Sequence, residues 1–197
     1  MKVFLIRHGR TKGNLEHRYV GSTDEELLGS EYERISQAKE QYPKPDFLFV
    51  SSLKRCVQTA ALLYPEKKMK TDTELRECEF GAFEYKNYLE LQGNDAYQAW
   101  IDSGGTLAFP GGESRKEFVE RCSRAFEKCC KDAAKSGSVQ AGFVVHGGTI
   151  MAVLDQFSEP HRDYFDWQVK NTEGFMCELN WQGEKLRLTD IQKLPGE

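Results

Sequence analysis

The stretch Val3–Gly9, which reads VFLIRHG, decides the fold that the sequence predicts. Four apolar residues run directly into Arg7 and His8, a pattern typical of a short buried strand in a parallel sheet. Gly9 then permits a tight turn. In open α/β sheets, ligands bind at the carboxyl ends of the strands, so we expect Arg7 and His8 to lie at a binding site.

Two other apolar runs end in a similar way. Phe47–Val50 leads into two serines and a helical pattern that carries Arg55, and Gly142–Val145 leads into His146. The chain has only four histidines, and two of them follow an apolar run in the same position. The sequence therefore predicts an α/β fold in which three strand ends bring two arginines and two histidines to one crevice.

Composition limits the classes of function. The 197 residues suit a single domain, residues 1–197, and the net charge of -4 argues against a general nucleic-acid or anionic-membrane surface. Six cysteines without a CxxC pair are typical of thiols in a reducing compartment. Because no apolar run resembles a signal peptide or a membrane span, we expect a soluble, cytoplasmic protein.

Periodicity and turn residues predict the remaining elements. Helices are expected over Glu25–Tyr42, from Leu53 to Tyr64, from Tyr88 to Ile101 with a break near Gly93, from the capping box at Ser114, and over Thr149–Phe157. A short edge strand is expected at Met69–Thr71, and a hairpin at Gly174–Trp181 and Lys185–Leu194. The glycine-rich loop from Asp102 to Gly112 is a candidate lid or substrate wall.

Two arginines and two imidazoles in one crevice predict a pocket for a dianion such as phosphate, since guanidinium groups match tetrahedral oxyanions. Arg55 falls in the first turn of its helix, where a cation is mildly unfavourable unless an anion lies nearby. Metal binding is the alternative, but no HxH, HxxxH or HxD spacing surrounds either histidine, and Arg7 would repel a cation.

Phosphoryl transfer without a metal needs a nucleophile, positive charge around the phosphate and a proton for the leaving oxygen. A neutral imidazole can attack phosphorus, and neighbouring arginines help to keep it neutral. The acidic and aromatic segment 74–84 can supply a desolvated carboxylic acid, with four candidates that composition does not separate: Glu74, Glu77, Glu79 and Glu84. Thr11 and Asn14 can donate hydrogen bonds to whatever His8 faces, although Thr11 also suits a helix start.

Four blocks of sequence, in this order, resemble the histidine phosphatase superfamily, the group of phosphoglycerate mutase and the acid phosphatases. The first is Arg7-His8-Gly9 with Thr11 and Asn14, which matches RHGxTxxN. The others are 51–55 (SSLKR) before Thr59-Ala60, 75–77 (LRE) before Phe80-Gly81, and 146–148 (HGG).

The resemblance implies a three-layer sandwich with a mostly parallel central sheet, one antiparallel strand and helices on both faces. It implies that His8 is the phosphorylated nucleophile, that Arg7, Arg55 and His146 form the phosphate pocket, and that Glu77 donates and accepts the proton. Asn14 and the backbone at Gly147 are implied phosphate contacts, and Thr11, Val20 and Gly21 are further implied substrate-binding positions. No metal and no cofactor would be needed, and a homodimer is left open.

Within the superfamily, His146-Gly147-Gly148 is more similar to the phosphatases than to the mutases, which typically have His-Gly-Asn. The segment 109–114 (FPGGES) resembles the PGGES block of the α-ribazole phosphatases, which implies a role in cobalamin biosynthesis. Residues 25–28 and 83–85 depart from the family pattern on the implied substrate side. We therefore expect a phosphomonoesterase for a small phosphorylated metabolite, with α-ribazole 5'-phosphate as the leading candidate. A mutase and a non-catalytic phospholigand-binding protein are the alternatives.

Overall fold

A six-stranded sheet forms the centre of the protein in a computed structural model that describes residues 1–195. The strand order is β3-β2-β4-β1-β5-β6. The strands are β1 (Lys2–Arg7), β2 (Phe47–Ser51), β3 (Met69–Asp72), β4 (Gln140–Val145), β5 (Gly174–Gln182) and β6 (Lys185–Leu194). The three predicted strands, the edge strand and the hairpin are all confirmed.

Strand directions agree with the implied architecture. β1 pairs with β4, β4 with β2, and β2 with β3 in parallel, whereas β5 runs antiparallel to both β1 and β6. Among the strands of residues 1–195, β5 is thus the one that runs against the others. Arg7 lies opposite Val145 in the β1–β4 register, and the His8 amide donates to the Val145 carbonyl over 3.0 Å. The residues that follow these two strands, His8 and His146, are therefore held side by side.

Helices cover both faces of the sheet. They are α1 (Lys12–Leu15), α2 (Gly29–Ala38), α3 (Lys54–Leu63), α4 (Asp95–Asp102), α5 (Arg115–Lys135) and α6 (Gly147–Phe157). One apolar core joins α2 and α3 to the side chains on one face of the sheet, and a second joins α5 and α6 to the other face. Within residues 1–195, no helix combines the length and the apolar character needed to cross a membrane.

Local hydrogen bonds explain where the helices begin. The predicted capping box is confirmed at α5, where Ser114 Oγ accepts from the Glu117 amide and Glu117 Oε2 accepts from the Ser114 amide. The prediction of helix before Gly93 was wrong, because the Asn87 side chain accepts from the Leu89 and Glu90 amides and closes a turn instead. α4 starts only after Asn94, whose side chain caps it.

A third apolar cluster lies beyond the carboxyl ends of the strands. It is built from rings and thiols of the loops and of α4 and α5, including Phe83, Phe109 and Trp100. Aromatic pairs with centroids 5.0–6.5 Å apart connect these rings to Tyr19 and Phe80. The loops after the strands therefore have their own packed interior, which forms one side of the site described next.

Candidate active site

His8 is a buried imidazole at the carboxyl end of the central strand β1, with 4% of its surface exposed. Its Nδ1 lies 2.7 Å from the Gly9 carbonyl, and a carbonyl can only accept, so Nδ1 carries the proton and Nε2 keeps its lone pair. Burial lowers the pKa of His8 well below its ordinary value, and the charges of Arg55 and Arg7 lower it further. His8 is thus a neutral imidazole with a free nitrogen.

Gly9 is required by close packing. Its amide donates to Thr59 Oγ1 over 2.9 Å, and an added Cβ would lie 2.6 Å from the Cδ1 atom of Ile35. Sequence reasoning expected glycine to provide an unusual backbone conformation, but the structure needs it for the approach of α2 to the turn after β1. The Gly9 carbonyl, which accepts from His8 Nδ1, is therefore held in position by the packing of Gly9 against Ile35 and by the hydrogen bond of the Gly9 amide to Thr59.

His146 stands beside His8 at the start of α6 and is fully buried. The two ring centroids are 5.2 Å apart with an interplanar angle of 66°. His146 Nε2 lies 2.7 Å from Ser51 Oγ, and Nδ1 accepts from Arg55 Nε over 3.3 Å. Burial, followed by the charge of Arg55, lowers the pKa of His146 well below its ordinary value. Because Nδ1 accepts from the Arg55 N–H, the proton of the neutral ring lies on Nε2, which donates to the Ser51 hydroxyl.

Arg55 is completely buried in the first turn of α3. Its guanidinium donates to backbone carbonyls of the preceding loop: Nη1 to Thr23 over 2.8 Å, and Nη2 to Gly21 over 2.9 Å and to Val20 over 3.3 Å. These carbonyls hold the cation without neutralising it. Val20 and Gly21, which were expected to bind substrate, therefore contact Arg55 in this structure.

The loop that holds Arg55 is itself held by Glu84. This carboxylate accepts from the Gly21 amide over 3.0 Å, from the Thr23 amide over 2.9 Å and from the Thr23 hydroxyl over 2.7 Å. Sequence reasoning named Glu84 only as one of four acid candidates. The structure gives it a positioning role, and no local signal in the sequence marks a contact between residues 21 and 84.

Arg7 supplies the second guanidinium. Its Nη1 donates to the Val169 carbonyl over 2.7 Å, and the group lies alongside Gly147, with Nε 3.4 Å from where a Cβ would stand. Within residues 1–195, the buried Nε has no hydrogen-bond partner, which costs about 1–3 kcal/mol. Burial lowers the pKa of Arg7, while Glu77 raises it. A buried, unpaired N–H of a cation beside a helix start is well suited to an anionic acceptor.

Glu77 is the acid candidate that the structure brings to this place. Its Oε1 accepts from the Cys78 amide over 3.0 Å and its Oε2 from the Gly148 amide over 3.1 Å. Burial raises the pKa of Glu77 above its ordinary value, although the two amides and both arginines act in the opposite direction. Arg7 and Glu77 line the same cavity. A carboxyl group in this environment can keep its proton at a higher pH than an exposed one.

The other two acid candidates lie elsewhere. Glu74 and Glu79 both pair with Arg76, at 3.3 and 2.9 Å, and both carboxylates are about half exposed. Exposed pairs of this kind are typical of a solvated surface. The structure thus separates Glu77 from its three neighbours in sequence, which composition did not do.

Thr11 and Asn14 form a capping box at the start of α1. The fully buried Thr11 hydroxyl accepts from the Asn14 amide over 3.4 Å, and Asn14 Oδ1 accepts from the Thr11 amide over 3.1 Å. The hydroxyl of Thr11 thus serves the helix start, the alternative that the sequence also suggested. The oxygen of Asn14 is occupied, which leaves its amide nitrogen to face a ligand.

Asn171 was not identified from the sequence. Its Nδ2 donates to the His8 carbonyl over 3.0 Å and to Asn14 Oδ1 over 3.1 Å, and so connects the turn after β1 to α1. Thr172 follows with φ of 68°, and its amide donates to the Arg7 carbonyl over 3.0 Å. Two adjacent polar residues before β5 were the available signal, but asparagine and threonine are common in loops.

A cavity of about 300 Å³ opens beside the histidines, and we call it the aromatic pocket. Arg7, Glu77, Gly147 and Gly148 contribute to its lining, with Arg7 beside Gly147 and Glu77 beside Gly148. Its walls come from several loops and from the starts of α5 and α6, and their principal side chains are Tyr19, Phe80, Trp100, Phe109, Arg115, Tyr164 and Phe165. Gly105 and Phe109 come from the loop 102–112, so this loop forms a wall of the pocket.

The aromatic pocket combines apolar rings with a charged side chain, which the sequence did not predict. Trp100 lines the pocket, and its indole Nε1 is buried without a hydrogen-bond partner in the part of the chain that the structure describes. The guanidinium of Arg115 lies over two aromatic rings of the wall. The pocket therefore offers aromatic rings and one cation to a bound molecule.

Comparison with known proteins identifies a family. The family model described as the histidine phosphatase superfamily (branch 1) matches residues 3–193 of this chain. Phosphoglycerate mutase-like protein 4 of Arabidopsis thaliana is 26% identical over 164 residues, which are 79% of this chain and 70% of that protein. The adenosylcobalamin/alpha-ribazole phosphatase of Escherichia coli is 29% identical over 133 residues, which are 63% of this chain and 64% of that protein.

A solved structure supports the architecture. The crystal structure of the alpha-ribazole phosphatase from Shigella flexneri aligns with a TM-score of 0.81 at 20% identity, and the alignment covers 95% of this chain and 94% of that chain. At this identity the similarity concerns the fold. It confirms the three-layer, phosphoglycerate mutase-like arrangement that the four sequence blocks implied.

Proposed function

Because the chain belongs to branch 1 of the histidine phosphatase superfamily, we propose that it hydrolyses phosphomonoesters through a phosphohistidine intermediate formed on His8. The observation that carries the proposal is the pairing of two buried imidazoles, 5.2 Å apart, with both arginines beside them. The substrate class is a small phosphorylated metabolite.

The nucleophile is Nε2 of His8. Because Nδ1 donates its proton to the Gly9 carbonyl, the lone pair of Nε2 is available without prior deprotonation. The lowered pKa favours the neutral form of this ring. Nε2 attacks phosphorus in line as the bond to the leaving oxygen breaks.

Positive charge and N–H donors neutralise the phosphoryl oxygens. Arg7 contributes its unpaired Nε, and Arg55 contributes a guanidinium that the loop carbonyls aim without cancelling its charge. His146, whose ring stands 5.2 Å from that of His8, borders the phosphoryl group and is held there by Arg55 Nε at its Nδ1 and by Ser51 at its Nε2. The Gly147 amide at the start of α6 and the Asn14 side chain are the further contacts in this proposal.

Glu77 handles the proton of the leaving oxygen. Its raised pKa favours the protonated form, so it can protonate the departing alcohol in the first step. The resulting carboxylate then removes a proton from the water that attacks the phosphohistidine, which returns Glu77 to its acid form and releases phosphate. Atoms and charge balance over the two steps without a further reactant.

The aromatic pocket would hold the leaving group, since Arg7 and Glu77 line it. α-Ribazole 5'-phosphate is the named candidate, supported by the PGGES segment, by the relative in Escherichia coli and by walls that suit a benzimidazole ring. A role in cobalamin biosynthesis depends on this narrower assignment.

One panel of substrates tests the function. We expect purified protein with EDTA to release phosphate from para-nitrophenyl phosphate, and His8→Ala to abolish that release and the incorporation of phosphate label into protein. His161→Ala is the matched control, because the His161 side chain is 62% exposed and pairs at 3.9 Å with Asp163 at the surface.

The same panel separates the alternatives. A mutase would isomerise 3-phosphoglycerate in the presence of its bisphosphate and lose phosphate to water slowly. A phospholigand-binding protein would bind inorganic phosphate without turnover of any substrate. Either result would contradict the proposed hydrolysis.

A further inference from the structure

Arg115 is a wall residue of the aromatic pocket whose charge the chain does not neutralise. In the part of the chain that the structure describes, no carboxylate lies within ion-pair distance of its guanidinium. Burial raises the pKa of the Asp155 carboxyl, and the positive charge of Arg115 acts in the opposite direction without reversing this shift. In a protein with a net charge of -4, an unpaired cation inside a pocket is an unusual placement.

The backbone location of Arg115 makes the placement more unusual. It is the first residue of α5, directly after the Ser114 cap. The amino end of a helix carries partial positive charge, so a cation there is unfavourable by about 0.3–1 kcal/mol. Its exposed neighbour Lys116 can relax into solvent, but Arg115 is directed toward the pocket wall.

The contacts of Arg115 fix its guanidinium in place. It donates from Nη2 to the Gly104 carbonyl, and its central carbon lies 5.1 Å from the Tyr164 ring centroid and 4.7 Å from that of Phe165. A guanidinium has five N–H donors, so most of them are left for a ligand. The ring faces and the carbonyl hold the planar group ready for a bidentate acceptor.

Two other arginines near the pocket differ from Arg115 in their positions and partners. Arg7 lines the pocket together with Glu77 and stands beside Gly147, and Arg18 pairs with Glu90 at 2.7 Å. A carboxylate matches one guanidinium in a bidentate pair, which suits the single guanidinium of Arg115. The aromatic rings of the walls favour an apolar or planar body beside that carboxylate.

We propose that Arg115 selects substrates whose leaving group carries a carboxylate on an aromatic or similarly apolar body. The proposal rests on the proposed phosphomonoesterase function and specifies its substrate class. α-Ribazole 5'-phosphate has the ring without the carboxylate, so it serves as a direct competitor in the test.

The test compares para-carboxyphenyl phosphate with para-carbamoylphenyl phosphate, which has a similar size and an electron-withdrawing group but no charge. We expect kcat/KM of the unmodified enzyme to favour the carboxylate by about 10- to 100-fold, the range of a charge-assisted hydrogen-bond pair. Arg115→Gln should bring this ratio close to one, because glutamine can still donate to Gly104 but has no charge. Arg115→Lys should retain part of the preference.

Lys116→Gln is the matched control, since it removes a neighbouring exposed cation, and its ratio should equal that of the unmodified enzyme. A purely structural role of Arg115 would lower both rates equally and leave the ratio unchanged in Arg115→Gln, which would overturn the inference. Equal rates for the two aryl phosphates with unmodified enzyme, or faster turnover of α-ribazole 5'-phosphate than of the carboxylate, would also overturn it and would leave the phosphatase function intact. Failure to hydrolyse any of the three would overturn both.

Discussion

Replacing Gly148 with alanine should displace Glu77, the proposed proton donor, while leaving His8, the proposed nucleophile, in place. Gly148 is the second residue of α6, and its amide donates to Glu77 Oε2 over 3.1 Å. An added Cβ would overlap Glu77 Oε1, and it would stand 3.0 Å from the Glu77 Cδ and 3.1 Å from the Phe118 ring. The carboxyl group must therefore move, because the three atoms nearest to the new methyl group belong to Glu77 and Phe118 and none belongs to His8.

The free-energy terms predict a folded variant. Alanine is favoured over glycine inside a helix by about 1 kcal/mol. The lost hydrogen bond to Glu77 costs about 1 kcal/mol, and crowding against Phe118 costs about 1–3 kcal/mol. The net loss of unfolding free energy, about 1–3 kcal/mol, is smaller than the typical 5–15 kcal/mol of a domain. Chemical denaturation would measure it.

The kinetic effect should depend on the leaving group. A positioned general acid contributes about 100- to 10,000-fold, so we expect kcat for benzyl phosphate, whose alkoxide leaves poorly, to fall by at least about 100-fold. para-Nitrophenolate needs little protonation, and its release should fall by less than about 10-fold. Glu77→Gln should show the same selectivity and spare substrate binding.

Gly29→Ala is the control for the general effect of adding a methyl group to the first turn of a helix. Gly29 begins α2, and an added Cβ would meet no atom within 4 Å. The reasoning is refuted if folded Gly148→Ala loses the same factor on both substrates, or if it loses activity on neither.

Three other predictions concern the histidines and their supports. The pKa of His8 is lowered from its ordinary 6.5, and that of Glu77 is raised from its ordinary 4.5. In a pH-rate profile, kcat/KM should therefore decline on the acid side only below pH 6.5 and on the basic side only above pH 4.5. Glu77→Gln should remove the decline on the basic side. Because the unfolded chain binds more protons at His8 and His146 than the folded chain does, the unfolding free energy should fall as pH decreases from 6.5 toward their lowered pKa values. Urea titrations at several pH values would measure this slope, and His146→Asn should reduce it. Ser51→Ala should lower kcat by about 10-fold, because His146 Nε2 loses its hydrogen-bond partner. Asn171→Ala should lower kcat by a similar factor, because the turn at His8 loses a hydrogen bond. An unchanged kcat in either variant would contradict its supporting role.

The strands and their reactive ends could be predicted because the information is local. VFLIRHG is a buried strand followed by its functional residues, and the same pattern recurs at His146. The start of α5 was predictable for the same reason, since the capping box lies within four consecutive residues. Parallel strands then bring their carboxyl ends together whatever the length of chain between them.

The supports of the site could not be predicted, because they join residues that are distant in sequence. Glu84 holds a loop 61–63 residues earlier, and Asn171 reaches back 163 residues to His8. The helix predicted before Gly93 does not form, because the Asn87 side chain accepts hydrogen bonds from the Leu89 and Glu90 amides, which a helix would use. Such contacts depend on which loops the fold brings together, and loop packing has no sequence period.

The β1–β4 ladder also bears on how this scaffold can vary. His8 and His146 are neighbours because their strands pair in one fixed register, so inserting a single residue into either strand would turn one imidazole toward the opposite face and separate the two rings. The loops that line the aromatic pocket are attached beyond this ladder and can change length or composition while the pair of rings stays assembled. New leaving-group preferences can therefore arise on this framework by loop exchange alone, with the phosphoryl chemistry inherited unchanged.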